Sequence, residues 1–255
     1  MDIKRITDYF DEIAPSSRSA EWDNDGIMLM CAKDIQRVVV TLDVTTEAVK
    51  CALENGAQLI ISHHPIIFHP IKSICDDYVS ENIKRLIKSD ISVLSYHTRM
   101  DASDVGINQY ILNRLGLGSI TPFGLFNGDM TGRIGSFVMP LSFEEVCQRI
   151  KHLFRCDNFT YTATDKMIKS IAVVSGGGSE YMDSAADHGA DLYISGEFKH
   201  HHYLKAQEIG FPLIGIDHFH CENVFTDLVC EILKEKFNEL DIIKNTSKPP
   251  FNTMN

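Results

Sequence analysis

The sequence predicts an α/β fold made of two interlinked lobes. Helical and strand patterns alternate along the chain, an order typical of sheets whose strands run mainly parallel. Of the 255 residues, 44% are hydrophobic and 23% are charged, a balance typical of globular domains and not of disordered chains. A segment rich in glycine and proline, residues 116–132, interrupts the alternation. We therefore place one lobe at residues 1–125 and the other at residues 126–255.

The elements of the first lobe follow from periodicity and from the residues at their ends. Apolar side chains recur at helical spacing in the opening segment, with Asp2 as an N-cap candidate and Pro15 beyond its end. Gly56 closes a second helix, and the segments beside it are rich in the β-branched residues that strands prefer. The predicted elements are helix 3–13, strand 37–44, helix 46–55, strand 58–62, helix 81–89 and strand 91–96.

The second lobe repeats this alternation. Ser142 and Glu145 have the spacing of a capping box, which predicts the start of a helix. Three consecutive glycines at 176–178 predict a tight turn. The predicted elements are strand 133–139, helix 142–154, strands 159–164 and 169–174, helix 181–188, strand 191–195, helix 201–209, strand 213–216 and helix 222–240. Residues 245–255 have no periodicity, and we expect an irregular tail.

Charge and cysteine usage narrow the function classes. The chain has 24 Lys and Arg against 35 Asp and Glu, a net charge of −11, which repels nucleic-acid phosphates and anionic lipids and argues against nucleic-acid partners. No apolar run approaches the about 20 residues that a membrane span needs, and the N-terminus lacks a signal-peptide core. The seven cysteines are scattered without a C-x-x-C pair, a pattern typical of proteins whose thiols stay reduced. We expect a cytoplasmic protein with no membrane partner.

The first chemical signal is the pair His63 and His64, which follows a strand directly and precedes Pro65. Adjacent side chains at a strand end point to opposite sides, so the pair can serve two metal ions, or one metal and a substrate. Two surface histidines on a loop would give the same pattern.

A second signal, His97 and Asp101, follows the next strand of the same predicted sheet. Ligands of parallel α/β sheets gather beyond the carboxyl ends of the strands. Asp101 is therefore a candidate carboxylate ligand, and His97 is either a ligand or a residue that orients one. The alternative for Asp101 is an N-cap of a helix near Ile107.

The third signal follows the strand at 213–216. His218 and Glu222 are four residues apart, which places both side chains on one face of a helix, a spacing that suits two ligands of one metal site. Asp217 and His220 are favoured as surface residues or as groups that position a ligand.

Together these signals supply three imidazoles and two carboxylates. One zinc ion needs about four ligands, so five donors are better explained by two neighbouring ions. Nitrogen and oxygen donors without thiolate favour Zn, Mn or Fe over Ca or Mg. Such a site activates water, which is the chemistry of metal-assisted hydrolysis. The candidate metal ligands are His63, His64, Asp101, His218 and Glu222.

With these residues identified, the chain resembles the Nif-three-like dinuclear-metal-centre family, whose members are often named GTP cyclohydrolase type-two homologues. The resemblance covers nearly the whole chain, and the order and spacing of its segments are together highly specific. The segments that carry it are 21–26, 62–68, His97 with Asp101, 133–135, 176–178, 196–201 and 218–222.

The resemblance implies a two-lobed α/β subunit with a dinuclear metal site between the lobes, assembled into a ring-shaped homohexamer. It implies the same five metal ligands, and it places His97 beside the site. Glu197 and His201 match the family's Gly-Glu/Asp-x-Lys-x-His motif, and we take them as substrate-facing catalytic candidates together with His97. The alternative for the histidines at 200–202 is a solvated helix start, which we favour for His200 and His202.

The sequence departs from the family pattern at three positions. Asp217 stands where the family commonly has glycine, Arg99 stands where it often has asparagine, and His220 adds a donor. The first two bear on local charge and substrate preference and not on the ligand set.

The leading functional hypothesis is a metal-dependent hydrolase with two divalent ions per subunit and a small polar or nucleotide-like substrate, whose identity the sequence leaves open. The alternative is a non-catalytic metal-binding ring scaffold or regulator that engages a partner protein. Function has to be inferred from the residues of the site, because a fold sets only a prior expectation.

Overall fold

The computed structural model describes residues 1–125 and 130–252, which divide into two compact units. The first unit is Met1–Ser103 with Phe225–Lys248, and the second is Asp104–Val224 with the described residues beyond Lys248. The predicted lobe boundary between residues 125 and 126 falls at the edge of residues 126–129, which lie outside the described residues.

The first unit contains a five-stranded sheet with helices packed around it. Its elements are α1 Ile3–Ile13, β1 Gly26–Leu29, β2 Arg37–Thr41, α2 Thr46–Glu54, β3 Leu59–Ser62, α3 Tyr78–Lys88, β4 Ser92–Ser95, α4 Thr98–Ala102, most of α10 Val224–Lys236, and β11 Asp241–Lys244. The strand order is β1-β4-β3-β2-β11, with β1 antiparallel to β4 and every other pair parallel.

The central strands of this sheet form its core. Every residue of β3 and β4 is buried, as expected for parallel strands covered on both faces. Asp2 caps α1 by accepting a hydrogen bond from the backbone N–H of Lys4, which confirms the predicted start of that helix. Residues 225–248 lie within the predicted second lobe. The structure places them in the first unit, where β11 pairs with β2.

The second unit contains a six-stranded sheet of order β5-β6-β8-β9-β10-β7. Its elements are α5 Ile107–Leu115, β5 Gly118–Phe123, β6 Gly132–Leu141, α6 Phe143–Phe154, β7 Thr160–Tyr161, β8 Ile168–Val174, α7 Met182–Asp187, β9 Leu192–Ser195, α8 His200–Ile209, β10 Leu213–Gly215 and α9 His218–Glu222. Strands β8, β9 and β10 are parallel, and the other pairs are antiparallel. The predicted capping box at Ser142 and Glu145 is present at the start of α6.

The predicted α/β class with mostly parallel strands is confirmed. The structure adds three edge strands that were not predicted, namely β1, β5 and β11, and β5 lies within the segment interpreted as a break. The predicted helix at 222–240 consists of the end of α9 and the longer helix α10. Throughout the described ranges, each helix is too short or too polar to cross a lipid bilayer.

Candidate metal centre

Three histidines of the first unit converge at one edge of its sheet. His63 and His64 follow β3, and His97 follows the neighbouring strand β4, whose Ser95 pairs with Ser62. The His63 ring centroid lies 5.0 Å from that of His64 and 5.1 Å from that of His97, and the latter two are 5.4 Å apart. One ring nitrogen from each lies within 4.8 Å of the others, so the group can hold a metal ion.

Each of these rings is oriented through its Nδ1 atom. His63 Nδ1 lies 2.9 Å from the carbonyl oxygen of Tyr96, His64 Nδ1 lies 2.8 Å from Asp43 Oδ1, and His97 Nδ1 lies 2.7 Å from Asp23 Oδ1. Carbonyl and carboxylate oxygens accept hydrogen bonds, so each Nδ1 is the donor. In the neutral ring this leaves the lone pair on Nε2, the arrangement found around metal-binding histidines.

Asp101 lies on α4 beside these histidines. It is 8% exposed, and its Oδ1 atom is 3.8 Å from Nε2 of His63. Two donors bound to one ion at about 2.0–2.2 Å each lie about 3–4 Å apart, so this separation fits a shared ion. The alternative of an N-cap at Asp101 is wrong, because Gly106 holds the N-cap position of α5.

Asp23 is the group that fixes His97. Its carboxylate also accepts hydrogen bonds from the backbone N–H of Thr98 at 3.0 Å and from its hydroxyl at 2.5 Å. Burial alone would raise the pKa of Asp23, but the hydrogen bonds from His97 and Thr98 outweigh it and lower the pKa to about 2. Asp23 is therefore a carboxylate over the physiological pH range.

Arg99, one of the departures from the family pattern, is neutralised within the first unit. Its buried guanidinium lies 2.6 Å from Asp11 Oδ1 and 3.0 Å from Asp25 Oδ1. It also packs over the ring of Tyr96, with the guanidinium carbon 4.9 Å from the ring centroid. The extra positive charge is thus balanced locally.

The second unit positions His218 and Glu222 on one face of α9, as the four-residue spacing predicted. His218 Nε2 lies 3.0 Å from Glu222 Oε2, and Glu222 is 3% exposed. That separation also matches two donors bound to one ion. On the other side of the same ring, His218 Nδ1 lies 3.0 Å from Glu197 Oε1.

The predicted glycine turn makes room for Glu222. Gly176 follows β8 with a φ of +61°, and a Cβ atom added there would lie 2.0 Å from Glu222 Oε1. Any larger residue would therefore displace the carboxylate or the turn. Gly196 is also tightly packed, since a Cβ on it would lie 2.6 Å from the carbonyl oxygen of Gly176.

The two remaining candidate residues of the second unit differ in their surroundings. Glu197 is exposed and contacts His218, as described above. His201 lies in the first turn of α8, is exposed, and packs against His202 with ring centroids 4.1 Å apart. The structure thus places Glu197 next to a candidate ligand, while the substrate-facing role of His201 stays a prediction.

Asp43 and Asp23, which orient His64 and His97, are not among the residues predicted from the sequence. Asp43 follows β2, so the strand-end argument used for His63 could have identified it. Asp23 lies in segment 21–26, which carried the family resemblance but was given no role. A further group, Cys156 with Asp217 and His220, can also hold a metal ion and was not predicted.

Comparisons with known proteins identify the family of this chain. A family model described as Duf34/NIF3 (NGG1p interacting factor 3) matches residues 1–250. The chain is 31% identical over 259 residues to the GTP cyclohydrolase 1 type 2 homolog of Clostridium perfringens, covering 98% of this chain and 99% of that protein. It is 28% identical over 249 residues to the GTP cyclohydrolase 1 type 2 of Helicobacter pylori J99, covering 97% of each.

A solved structure shows the same fold. The crystal structure of Staphylococcus aureus protein SA1388 superposes with a TM-score of 0.88 at 25% identity, covering 100% of this chain and 99% of that one. The resemblance stated from the sequence is therefore confirmed, and the chain belongs to the Duf34/NIF3 family.

Proposed function

We propose that this protein is a metal-dependent hydrolase that binds two divalent ions and acts on a small polar or nucleotide-like substrate. The observation that carries the proposal is the cluster of three histidines in the first unit, each oriented through Nδ1 by a carbonyl or carboxylate oxygen. The proposed metal ligands are His63, His64, Asp101, His218 and Glu222. The proposed ions are Zn, Mn or Fe.

The donor chemistry of each unit supports metal binding. The Nε2 lone pairs of neutral imidazoles and the oxygens of buried carboxylates are the donors that these metals prefer. His63 with Asp101, and His218 with Glu222, each supply such a pair at 3.8 Å and 3.0 Å. Five donors exceed the requirement of one tetrahedral ion, which favours two.

Divalent ions held by these five ligands would make hydroxide available near neutral pH. The protein's own side chains would orient and transfer protons. His97, fixed by Asp23, presents Nε2 as a proton acceptor beside His63 and His64. Glu197 holds the ring of His218, and we propose that Glu197, His201 and His97 face the substrate.

An exposed aromatic pair beside His97 supports a substrate with a planar ring. Trp22 is 65% exposed and Phe68 is 39% exposed, with their ring centroids 6.0 Å apart. Their centroids lie 5.9 Å and 6.2 Å from that of His97. Aromatic faces bind other π-systems by stacking, so this pair suits a nucleobase. The Helicobacter pylori relative is named as a GTP cyclohydrolase, which also points to a nucleotide.

The test begins with elemental analysis of the purified chain. We expect at least two divalent ions per chain, and we expect His64→Ala and Glu222→Gln to lose metal while His152→Ala, an exposed histidine of α6, retains it. The metal-loaded chain is then assayed against phosphoesters, nucleotides including GTP, and amides. Bound metal with no activity anywhere in that panel would contradict the hydrolase proposal.

The aromatic pair has its own test once a substrate is found. Trp22→Ala should raise KM about tenfold or more and change kcat less, because stacking stabilises the bound ring throughout the reaction. Tyr78→Ala, another exposed aromatic residue of the first unit, is the control and should change neither constant. A Trp22→Ala enzyme with an unchanged KM would remove the argument for stacking.

The same preparation separates catalysis from the scaffold alternative. If a chelator lowers the melting temperature strongly and dissociates an oligomer, the metals act structurally. If stability is unchanged while activity disappears, the metals act in catalysis.

The seven cysteines are all free thiols, which supports a reducing compartment such as the cytoplasm.

A further inference from the structure

A further group of possible metal donors lies in the second unit and contains none of the five proposed metal ligands. Cys156, Asp217 and His220 each place one possible ligand atom within 4.8 Å of the other two. His220 is two positions from both His218 and Glu222 on α9. Side chains two positions apart do not share a helix face, so His220 points away from the face that carries His218 and Glu222.

Asp217 is held in an uncommon backbone conformation. Its φ of 100° and ψ of 155° lie in a region that is essentially restricted to glycine. Its carboxylate accepts a hydrogen bond from the backbone N–H of His220 at 2.9 Å and lies 2.7 Å from His220 Nδ1. A carboxylate oxygen and a ring nitrogen thus lie side by side, so an ion that binds Nδ1 in place of this hydrogen bond can bind the carboxylate as well.

Cys156 brings a third type of donor to the same place. It follows Arg155, the left-handed residue that ends α6, and it is 7% exposed. Its thiol donates a hydrogen bond to the carbonyl oxygen of Asn158, with Sγ and O 2.9 Å apart. A buried thiol held in this way is a poor free nucleophile, whereas a metal ion can displace its proton.

We propose that Cys156, Asp217 and His220 form a separate site for one zinc ion. A thiolate with an imidazole and a carboxylate is a donor set that zinc prefers, and three protein ligands leave one tetrahedral position for water. On binding, the sulfur–hydrogen bond of Cys156 breaks, a zinc–sulfur bond forms, and the proton passes to solvent. No electron transfer is involved.

The test uses Co²⁺ as a spectroscopic replacement for zinc in the full chain. Only a thiolate ligand gives a sulfur-to-cobalt charge-transfer band in the near ultraviolet, and the proposed dinuclear centre contains no cysteine. We expect titration with Co²⁺ to produce this band to the extent of one site per chain, and we expect added Zn²⁺ to remove it.

Substitutions then identify the residues that bind the cobalt ion responsible for the band. Cys156→Ser should abolish it, whereas Cys147→Ser, on α6 of the same unit, should retain it. Asp217→Asn and His220→Ala keep the thiol, and each should weaken Co²⁺ binding about tenfold or more. These two variants also keep the test decisive if thermal melts show that Cys156→Ser fails to fold. His64→Ala should leave the band unchanged, which separates this site from the proposed dinuclear centre.

Three results would overturn the proposal. They are the absence of the band from the wild-type chain, its persistence in a folded Cys156→Ser variant, and an unchanged Co²⁺ affinity in both Asp217→Asn and His220→Ala.

Discussion

Gly176 illustrates how one residue controls the position of a proposed ligand. A Cβ atom at this position would lie 2.0 Å from Glu222 Oε1, far inside van der Waals contact, and the φ of +61° also favours glycine. We predict that Gly176→Ala lowers metal affinity about tenfold or more, because Glu222 must leave its place beside His218. Metal content after dialysis against a weak chelator measures the effect.

The neighbouring glycine provides a control for this prediction. A Cβ on Gly177 meets no atom within 4 Å, and its φ of −82° is open to any residue. Gly177→Ala should therefore bind metal like the wild-type chain. Equal metal loss in both variants would show that the turn is sensitive to substitution in general and not to the contact with Glu222.

Asp23 gives a pH dependence whose sign follows from its pKa. The folded-state pKa of about 2 lies below the ordinary value of 3.8, so the carboxylate stabilises the fold above about pH 4. The stabilisation is lost as the pH falls through about 2. We predict that the metal-free chain loses about 2 kcal/mol of unfolding free energy over this range through Asp23 alone. Urea unfolding at each pH measures it.

Substitution isolates the contribution of Asp23. Asp23→Asn should lower the unfolding free energy near pH 6 and flatten its dependence between about pH 4 and 2. Asp165→Asn, which removes an exposed carboxylate, should leave both nearly unchanged. A wild-type slope retained in Asp23→Asn would assign the acid sensitivity to other groups.

At the scale of elements, local sequence signals are sufficient to predict a helix or strand that is buried or capped. The strand that precedes His63 is fully buried and strongly apolar, so its end could be located from the sequence. The capping box at Ser142 and Glu145 depends on residues three positions apart and was equally visible. The proximity of His97 to His63 followed from parallel pairing of adjacent strands.

Elements that depend on distant pairing were not predicted. The edge strands β1, β5 and β11 are mostly exposed or half-buried and show no clear alternation, since hydrogen bonds to a neighbouring strand hold them in place. The donor group that contains Cys156 was not predicted for a similar reason. Its cysteine is about 60 residues from Asp217 in the sequence, and only the β7–β10 region brings them together.

The pairing of β11 leads to a prediction about the end of the chain. β11 covers the edge of β2 along four registered residues, from Asp241 beside Arg37 to Lys244 beside Val40. Removing residues 241–255 should expose this edge, lower the melting temperature by several degrees and promote aggregation. Thermal melts and light scattering measure these changes.

A shorter truncation is the control. Removing residues 249–255 leaves β11 and its pairing intact, so stability should change little. If both truncations were equally stable, the edge strand would contribute little to the first unit.

At the scale of the whole molecule, the net negative charge of each chain disfavours the proposed assembly of several copies. The chain carries a net charge of −11, and copies brought together in a ring would repel one another. Divalent ions bound to each chain would reduce this charge. Dissolved salt would also reduce the repulsion, because the Debye length falls from about 30 Å at 0.01 M to about 8 Å at 0.15 M.

We propose a homohexameric ring, as the family resemblance implies, and predict its salt and metal dependence. Light scattering after size exclusion should give six times the chain mass of 28.7 kDa for the metal-loaded protein at about 0.15 M salt. Removing the metal should favour smaller species most strongly at low salt, because repulsion is then least screened and least neutralised. Dissociation on metal removal that is equally complete at high salt would instead indicate that the ions hold the ring together directly. A mass of one chain under all these conditions would rule out the ring.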